Sequence, residues 1–524
     1  MHLDRCEARM VQLSYKVRSA VLHGVQALPV QVEVLISSGI PSFSIVGMPD
    51  TAIQESRERV RAAIKSAGFR VPSDKIVVNL APSSLRKTGS GFDLPIALAL
   101  LAATGQIPAQ HLENALVVGE LSLEGAVHSV AGLIPYQQRA REMGCSLLTG
   151  CTEHGAIPVP GVTCYSLEHL SQIMHEDLPP MRFSAPNDCS YQYDFADVIG
   201  HDAAKRALQI AVCGNHGIIM MGSPGAGKTL LAQCVPSILP PLTEEEKIQT
   251  AAIHSVLDGD LREIYGGLRP FRMPHHSVTA AGLLGGGNPV RPGEVSLAHN
   301  GVLFIDELSE MRNDVVQQLR QPLEEGIAHI TRAEGSFVFP ARFMFVAATN
   351  LCPCGYYGDK EHACRCSPNQ IQRYQAKIGG PLMDRIDIRI DVERSDLSRL
   401  DRAKPGKSSE QMREEILVAR RFAQERKLDS RALSRTAHSV SSFEQIRGEK
   451  RNKLLELFKA CALSDAANSF LGLSVKTSGL STRSIMKMLS LSRTIADLDR
   501  SFVVEEEHIA EAYALRFHVN ESCL

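Results

Sequence analysis

Apolar and polar positions fall into three stretches with different rhythms. In the first, Val30 to Ile36 (VQVEVLI) opens with strict alternation, the mark of a half-buried strand. Thr51 to Ala67 then places Ile53, Val60 and Ile64 at helical spacings with charges between them. Lys75 to Leu80 (KIVVNL) predicts a buried strand, and Leu94 to Ala103 a buried helix. Leu116 to Ser122 and Val127 to Val130 flank Leu123-Glu124-Gly125-Ala126, a candidate hairpin turn. In the second stretch, short apolar runs at Gly217 to Met221, Gly301 to Ile305 and Arg342 to Ala347 alternate with helical patterns. That order predicts a parallel sheet with crossover helices. The third stretch is helical: Met412, Ile416, Ala419 and Ala423 share one stripe, and Ile485, Leu489 and Ser492 another.

Two segments lack apolar periodicity and predict linkers. They are Glu176 to Tyr193, with Pro179, Pro180 and Pro186, and Asp401 to Ser409 (DRAKPGKSS). They divide the chain into 1–175, 195–400 and 410–524, within the roughly two to four domains expected of such a length. Apolar residues at 44% and charged residues at 22% exclude a mainly disordered or fibrous chain. Lys+Arg number 56 against 58 Asp+Glu, a net −2, so any nucleic-acid binding must rest on a local patch. Trp is absent and aromatics are 5%, which argues against stacking platforms as the main binding mode. The longest apolar run, Leu94 to Ala103, is about half a membrane span, and Met1 to Lys16 has no apolar signal region. The expectation is a soluble, cytoplasmic protein with no membrane partner. The 13 cysteines fit reduced thiols, and only Cys352, Cys354, Cys364 and Cys366 cluster.

The chemistry is concentrated in the second stretch. Gly222-Ser223-Pro224-Gly225-Ala226-Gly227-Lys228-Thr229 matches G-x-x-x-x-G-K-[ST], with a strand before it and a helix after. In such a loop the glycines let backbone amides cradle phosphate oxygens, and the helix N-terminus adds favourable charge. Lys228 would reach the β- and γ-phosphates of ATP, and the Thr229 hydroxyl would ligate Mg²⁺. Leu303-Phe304-Ile305-Asp306-Glu307 ends an apolar strand in two carboxylates, 78 residues after Lys228. Asp306 would position Mg²⁺ and Glu307 would polarise the attacking water. Asn350 ends the next strand, where a polar group can orient that water. The bland alternatives are a glycine-rich turn and solvated strand ends; the pairing of the two halves favours the catalytic reading.

These elements resemble an AAA+ ATPase. Ile327 to Ala341, with a turn at Glu334-Gly335, looks like the hairpin before the sensor strand in the magnesium-chelatase and MCM branch. Phe271-Arg272-Met273-Pro274-His275-His276-Ser277, running on to Gly285-Gly286-Gly287, looks like that branch's helix insertion. With the N-terminal block, the pattern resembles the ComM/YifB family of magnesium-chelatase-like proteins from about Val11 to Val519, which makes Met10 a candidate start. The resemblance implies an α/β multidomain fold: an AAA+ core over 195–400 and a helical lid over 410–524. It implies a hexameric ring with ATP at subunit interfaces. Arg385, in Gly380-Pro381-Leu382-Met383-Asp384-Arg385, matches the arginine-finger position, and Arg483, in Leu480-Ser481-Thr482-Arg483-Ser484, matches sensor 2. A structural ion pair is the ordinary alternative for each. The implied function is a hexameric DNA helicase driving branch migration of recombination intermediates in natural transformation. A remodelling ATPase acting on a protein or a metal-chelatase partner is the alternative.

Three further readings complete the picture. Cys352 and Cys354, then nine residues, then Cys364 and Cys366 could place four thiolates around one Zn²⁺ in a structural role. Their C-x-C pairs are tighter than the usual C-x₂-C. His362 is an alternative ligand, and free thiols in an ordinary loop are the other reading. Lys87 to Ala97, Val118 to Gly125 and Val130 to Ile134 resemble a Lon-protease-like domain of the ribosomal S5 domain 2-like fold, covering 1–175. Ile134 and Pro135 stand where the base of a Ser–Lys dyad would be expected, so the domain is expected to be non-proteolytic, with Ser90 and Asp93 capping a helix or holding a loop. For DNA, single-stranded, forked or branched, the candidates are Arg332 near the hairpin tip, Arg272, His275 and His276 in the insertion, and Gln411 to Lys453, with 11 Lys/Arg against 6 Asp/Glu.

Overall fold

The computed structural model describes residues 13–517 except 153–155, 187–190, 333–334, 379, 395–405, 435–457 and 459–460. Met10, Glu334 and most of the second linker lie outside the described residues. The N-terminal block is built on a seven-stranded mixed sheet. Its order is Ser42–Val46, Lys75–Ala81, Gln26–Ser37, Leu13–His23, Ala115–Val117, Ser146–Gly150 and Cys164–Leu167. The long antiparallel pair Leu13–His23 and Gln26–Ser37 runs in register from Leu13 opposite Ile36 to His23 opposite Gln26. Val32, Val34, Ile76, Val78 and Leu80 point from alternating positions onto the helices Thr51–Ser66 and Asp93–Ala103. The second helix is buried nearly all round, as its uninterrupted apolar sequence requires. The expected hairpin forms as Glu120–Leu121 against Val127–His128, while Ala115–Val117 joins the main sheet instead.

The middle block holds a five-stranded sheet, all parallel, in the order Phe271–Arg272, Val302–Ile305, Met344–Thr349, Ile218–Met221 and Ile388–Asp391. Both faces are covered, which is why the strands read as continuous apolar runs. Ile218, Met220, Phe304, Val346 and Ile388 face one core, and Ile219, Leu303, Ile305, Phe345 and Ala347 face the other. The strand order inserts Met344–Thr349 between Ile218–Met221, which leads into the phosphate-binding loop Gly222–Thr229 (the P-loop), and Val302–Ile305, which Asp306 follows. Asn350 is thereby brought to the middle of the sheet's carboxyl edge.

The C-terminal helices Ser409–Ser434, Asp465–Ser478, Thr482–Leu498 and Glu506–Arg516 share one core with the sheet, through Met412, Ile416, Leu489 and Ile509. The first expected linker begins later than its composition suggests. Leu178 and Met181 are buried, and Pro180 and Phe183 bridge to Tyr165 and Ala156. The prolines there suit an edge that needs no amide donor. The two blocks also touch: Ile134, Ile157 and Val159 pack with Leu242, Ala251 and Ile264. Among the described residues, no helix is long and apolar enough to cross a membrane.

Candidate active site

The P-loop leaves the strand Ile218–Met221 and enters the helix Lys228–Ile238. Gly225 and Gly227 turn through φ of 78° and 84°, a region glycine enters without steric cost. The helix carries no side-chain cap, so its first amides are left to bind an anion. Lys228 folds back over the loop, donating to the carbonyls of Gly222 at 2.8 Å and Ser223 at 2.9 Å, and to Asn350 Oδ1 at 3.2 Å. Burial lowers the pKa of its ammonium, a penalty that a phosphate anion would relieve.

Thr229 Oγ1 donates to Asp306 Oδ2 at 2.8 Å. A hydroxyl and a carboxylate side by side are hard oxygen donors, the set that suits Mg²⁺. Glu307 follows with φ of 50°, a left-handed conformation rare outside glycine and common where function over-determines the backbone. Its amide donates to Asp306 Oδ1 at 2.9 Å, and its Oε2 lies 3.3 Å from His276 Nδ1. Residues 224–230, Asp306, Glu307, Thr349 and Asn350 line a cleft of about 430 Å³, within the usual range for a small-molecule site. Pro224, Gly225, Ala226, Gly227, Lys228, Thr229, Asp306, Glu307 and Asn350 thus line one cleft, and Gly222 and Ser223 meet it through the carbonyls that accept from Lys228.

Arg385 and Arg483 are not among the residues lining this cleft. They meet instead on Glu324, which accepts from Arg385 Nη2 at 2.8 Å and Arg483 Nη2 at 2.6 Å. The two guanidinium groups, Arg385 first, hold the Glu324 carboxyl below its ordinary pKa. The lid brings them together. Lys487, one turn after Arg483, pairs with Asp387 at 2.7 Å and donates to the Arg385 carbonyl, while Arg516 donates to the Ile386 carbonyl at 3.2 Å. Burial pushes the Asp387 carboxyl up, but His216 and Lys487 outweigh it and hold it well below the carboxylate range. Nothing in the sequence marked Glu324. It lies in a helix without a motif, and its role comes from two residues far along the chain.

The DNA candidates divide. Arg332 is exposed at the end of the hairpin strand Ile327–Arg332, and a Cβ at Gly286 of the insertion would sit 2.9 Å from its Nη2. Arg272 is held by Glu294 in a bidentate pair at 2.7 and 2.9 Å, so a phosphate would have to compete with that carboxylate. His275 bonds Ser277 at 2.7 Å, while His276 faces Glu307, a contact the motif did not reveal. In the basic segment, Arg420 donates to the Val212 carbonyl at 2.8 Å and Arg426 pairs with Asp497 at 3.1 Å; residues 435–453 lie outside the described residues.

In the N-terminal block Ser90 Oγ donates to Glu120 at 2.7 Å. Asp93 is buried against Arg59 at 2.7 Å and does not cap its helix through the side chain, which corrects the capping expectation in favour of the loop-holding one. Ile134, at the expected base position, is core. Lys87 is fully buried and donates to the Pro82 carbonyl. Cys352, Cys354, Cys364 and Cys366 bring their four Sγ atoms within 4.8 Å of one another. His362 is not one of this group: its ring lies tilted against Tyr356, with centroids 5.0 Å apart, and its Nδ1 is 3.5 Å from Asp359.

Comparison with known proteins places this geometry. The family described as magnesium chelatase, subunit ChlI, matches residues 194–400. Its companion descriptions, subunit ChlI of Mg-chelatase and the ChlI C-terminal region, match 32–149 and 406–516. The competence protein ComM of Haemophilus influenzae is 38% identical over 512 residues, spanning 94% of this chain and 95% of that protein. YifB of Escherichia coli is 36% identical over 502 residues, with the same coverage of each. The magnesium-chelatase 67 kDa subunit of Chlorobaculum parvum is 29% identical over 154 residues, only 29% of this chain and 22% of that protein.

Proposed function

The chain belongs to the ComM/YifB family of magnesium-chelatase-like proteins, and from that premise we propose that it is an ATP-hydrolysing ring motor acting on DNA. In this reading it is a homo-hexameric helicase that drives branch migration of recombination intermediates during natural transformation. The observation that carries it is the division of the site. One subunit assembles the P-loop, Thr229–Asp306, Glu307 and Asn350 around a cleft, yet holds Arg385 and Arg483 elsewhere, on Glu324. Among the described residues, no arginine lines this cleft, so one for the transferring phosphoryl group would come from a neighbouring subunit in a ring.

The chain's own groups have distinct tasks. Loop amides and Lys228 bind and orient the β- and γ-phosphates. Bound Mg²⁺ would neutralise phosphate charge, held by Thr229 and Asp306. Glu307 accepts hydrogen bonding from the attacking water, and Asn350 fixes that water's position. His276, 3.3 Å from Glu307, links this carboxylate to the insertion, and Arg332 leans over Gly286 of the same insertion. Contact with a strand in a ring's channel can therefore reach Glu307 through one loop.

DNA as the load is favoured by the resemblance to the competence protein ComM and by the exposed Arg332. The magnesium-chelatase family descriptions favour a second reading, remodelling of a protein or metal-chelatase partner. A salt-titrated binding assay with duplex, forked and four-way DNA, run with ATPase measurements, separates them. DNA-stimulated hydrolysis and a steep salt slope are expected; turnover indifferent to every DNA, but raised by a protein partner, would reject the DNA reading.

A further inference from the structure

The loop that follows Asn350 carries four cysteines and touches the P-loop before the helix Pro368–Ala376 begins. All four are free thiols. Their Sγ atoms stand 3.4 Å (Cys352–Cys354), 3.7 Å (Cys352–Cys364) and 3.6 Å (Cys354–Cys364) apart. A disulfide would need about 2.05 Å. A tetrahedron of thiolates at about 2.3 Å from Zn²⁺ has edges of about 3.8 Å, close to what is found.

The surrounding amides point the same way. The Tyr357 amide donates to Cys352 Sγ at 3.3 Å and the Cys366 amide to Cys364 Sγ at 3.4 Å. The amides of Tyr356 and Arg365 donate to Cys354, and the amide of Cys354 to Cys366. Every sulfur thus has an N–H donor of the kind that stabilises a thiolate and orients a metal ligand.

The same loop touches the nucleotide site at three points. Gly355, at φ of 85°, lies so close that a Cβ there would sit 2.6 Å from Pro224 Cγ and 3.9 Å from Asn350 Cγ. Asp359, almost wholly buried, accepts from the Ser223 side chain and from the amides of Glu361 and His362. Arg394 clamps the outside, donating to the Pro224 carbonyl at 2.8 Å while its Nε lies 3.7 Å from Asp359.

We propose that Cys352, Cys354, Cys364 and Cys366 bind one Zn²⁺ whose task is to hold this loop against Pro224, Ser223 and Asn350, so that metal occupancy sets how well the P-loop is preorganised for nucleotide. Four soft thiolates in a tetrahedron select zinc over hard cations and leave no open position for water, so the metal is structural. Binding displaces the thiol protons and ties together a short loop that has little apolar core of its own. The second half of the proposal rests on the ATP-site reading; the first does not.

The test uses full-length protein purified without chelators. Elemental analysis is expected to give about one zinc per chain, and Co²⁺ exchanged into the protein is expected to show the intense thiolate-to-cobalt absorption of a tetrahedral sulfur site. Stripping the metal with an organomercurial and a chelator should weaken binding of a fluorescent ATP analogue by on the order of tenfold, the worth of one lost hydrogen bond of this strength. Circular dichroism should stay unchanged, and added Zn²⁺ should restore affinity. Cys354→Ser/Cys364→Ser should lose the metal and the restoration. Lys228→Ala should keep the zinc while losing nucleotide, which separates failure of the metal proposal from failure of the ATP-site reading. Folded wild type without zinc and unable to take up Co²⁺, or iron in the site, overturns the metal assignment. Unchanged affinity after complete removal overturns the coupling.

Discussion

Replacing Arg385 by alanine should separate catalysis from folding by several kcal/mol, if the residue is the finger proposed above. Arg385 spends one terminal nitrogen on Glu324 at 2.8 Å and the other on the Pro381 carbonyl at 2.5 Å, and its buried Nε has no partner. Glu324 is half exposed and keeps Arg483 at 2.6 Å when Arg385 is gone. The pair is therefore worth about 0–1 kcal/mol to the fold, and removal of a desolvated, unpaired N–H offsets part of that. If the guanidinium serves a neighbour's phosphoryl group, its loss costs roughly 10³–10⁵ in rate, about 4–7 kcal/mol of barrier. Arg385→Ala should bind ATP and melt nearly as wild type does, while its steady-state phosphate release falls by those orders of magnitude. Mixing it with Lys228→Ala should bring activity back. At equal ratio about a quarter of the interfaces in a head-to-tail ring join an intact P-loop to an intact arginine. A loss below tenfold in assembled rings would refute the finger assignment. So would zero activity at every mixing ratio, if rings with only some sites intact are shown to turn over.

Glu307→Gln should retain ATP binding and trap an ATP-bound ring, whereas Lys228→Ala should lose binding; turnover equal to wild type in Glu307→Gln, measured by phosphate release, would remove Glu307 from the chemistry. Burial, with Arg342 nearby, lowers the His299 pKa from 6.5 to about 4, and its Nδ1 accepts the Arg342 amide at 3.0 Å, so it folds as the neutral ring. The unfolded chain binds the extra proton between those pH values, so this stability is whole above about pH 6.5 and declines toward pH 4, by about 3 kcal/mol in all. Thermal melts from pH 7.5 to 4.5 should show this slope, and His299→Gln should flatten it; identical slopes would discount the histidine. Ser90 is hydrogen-bonded to Glu120 and has Ile134 where the base would be, so ATP-dependent casein cleavage should be absent, and Ser90→Ala should leave ATPase unchanged; casein cleavage that vanishes in Ser90→Ala would overturn this.

What the sequence disclosed follows from where its information is local. The P-loop, the Asp306–Glu307 strand end and Asn350 are short motifs on adjacent parallel strands, and strand periodicity alone puts them on one edge. The Cys352–Cys366 loop was legible as a cluster, but not as a buttress, because Gly355 against Pro224 and Asp359 against Ser223 are contacts between segments more than a hundred residues apart. Glu324 was invisible for the same reason, and Arg272 looked like a free cation because nothing local revealed Glu294. Composition misplaced the first linker: a proline-rich segment reads as solvated until Leu178 and Met181 are seen buried beside the N-terminal sheet.

The central claim, that ATP hydrolysis in this protein moves DNA, is tested most directly by a synthetic four-way junction with homologous arms. Wild-type protein with ATP and Mg²⁺ should convert the junction to its branch-migrated duplex products, while Glu307→Gln bound to the same junction should not. A wild-type ring that hydrolyses ATP at full rate, binds the junction and leaves its branch point unmoved would contradict the account.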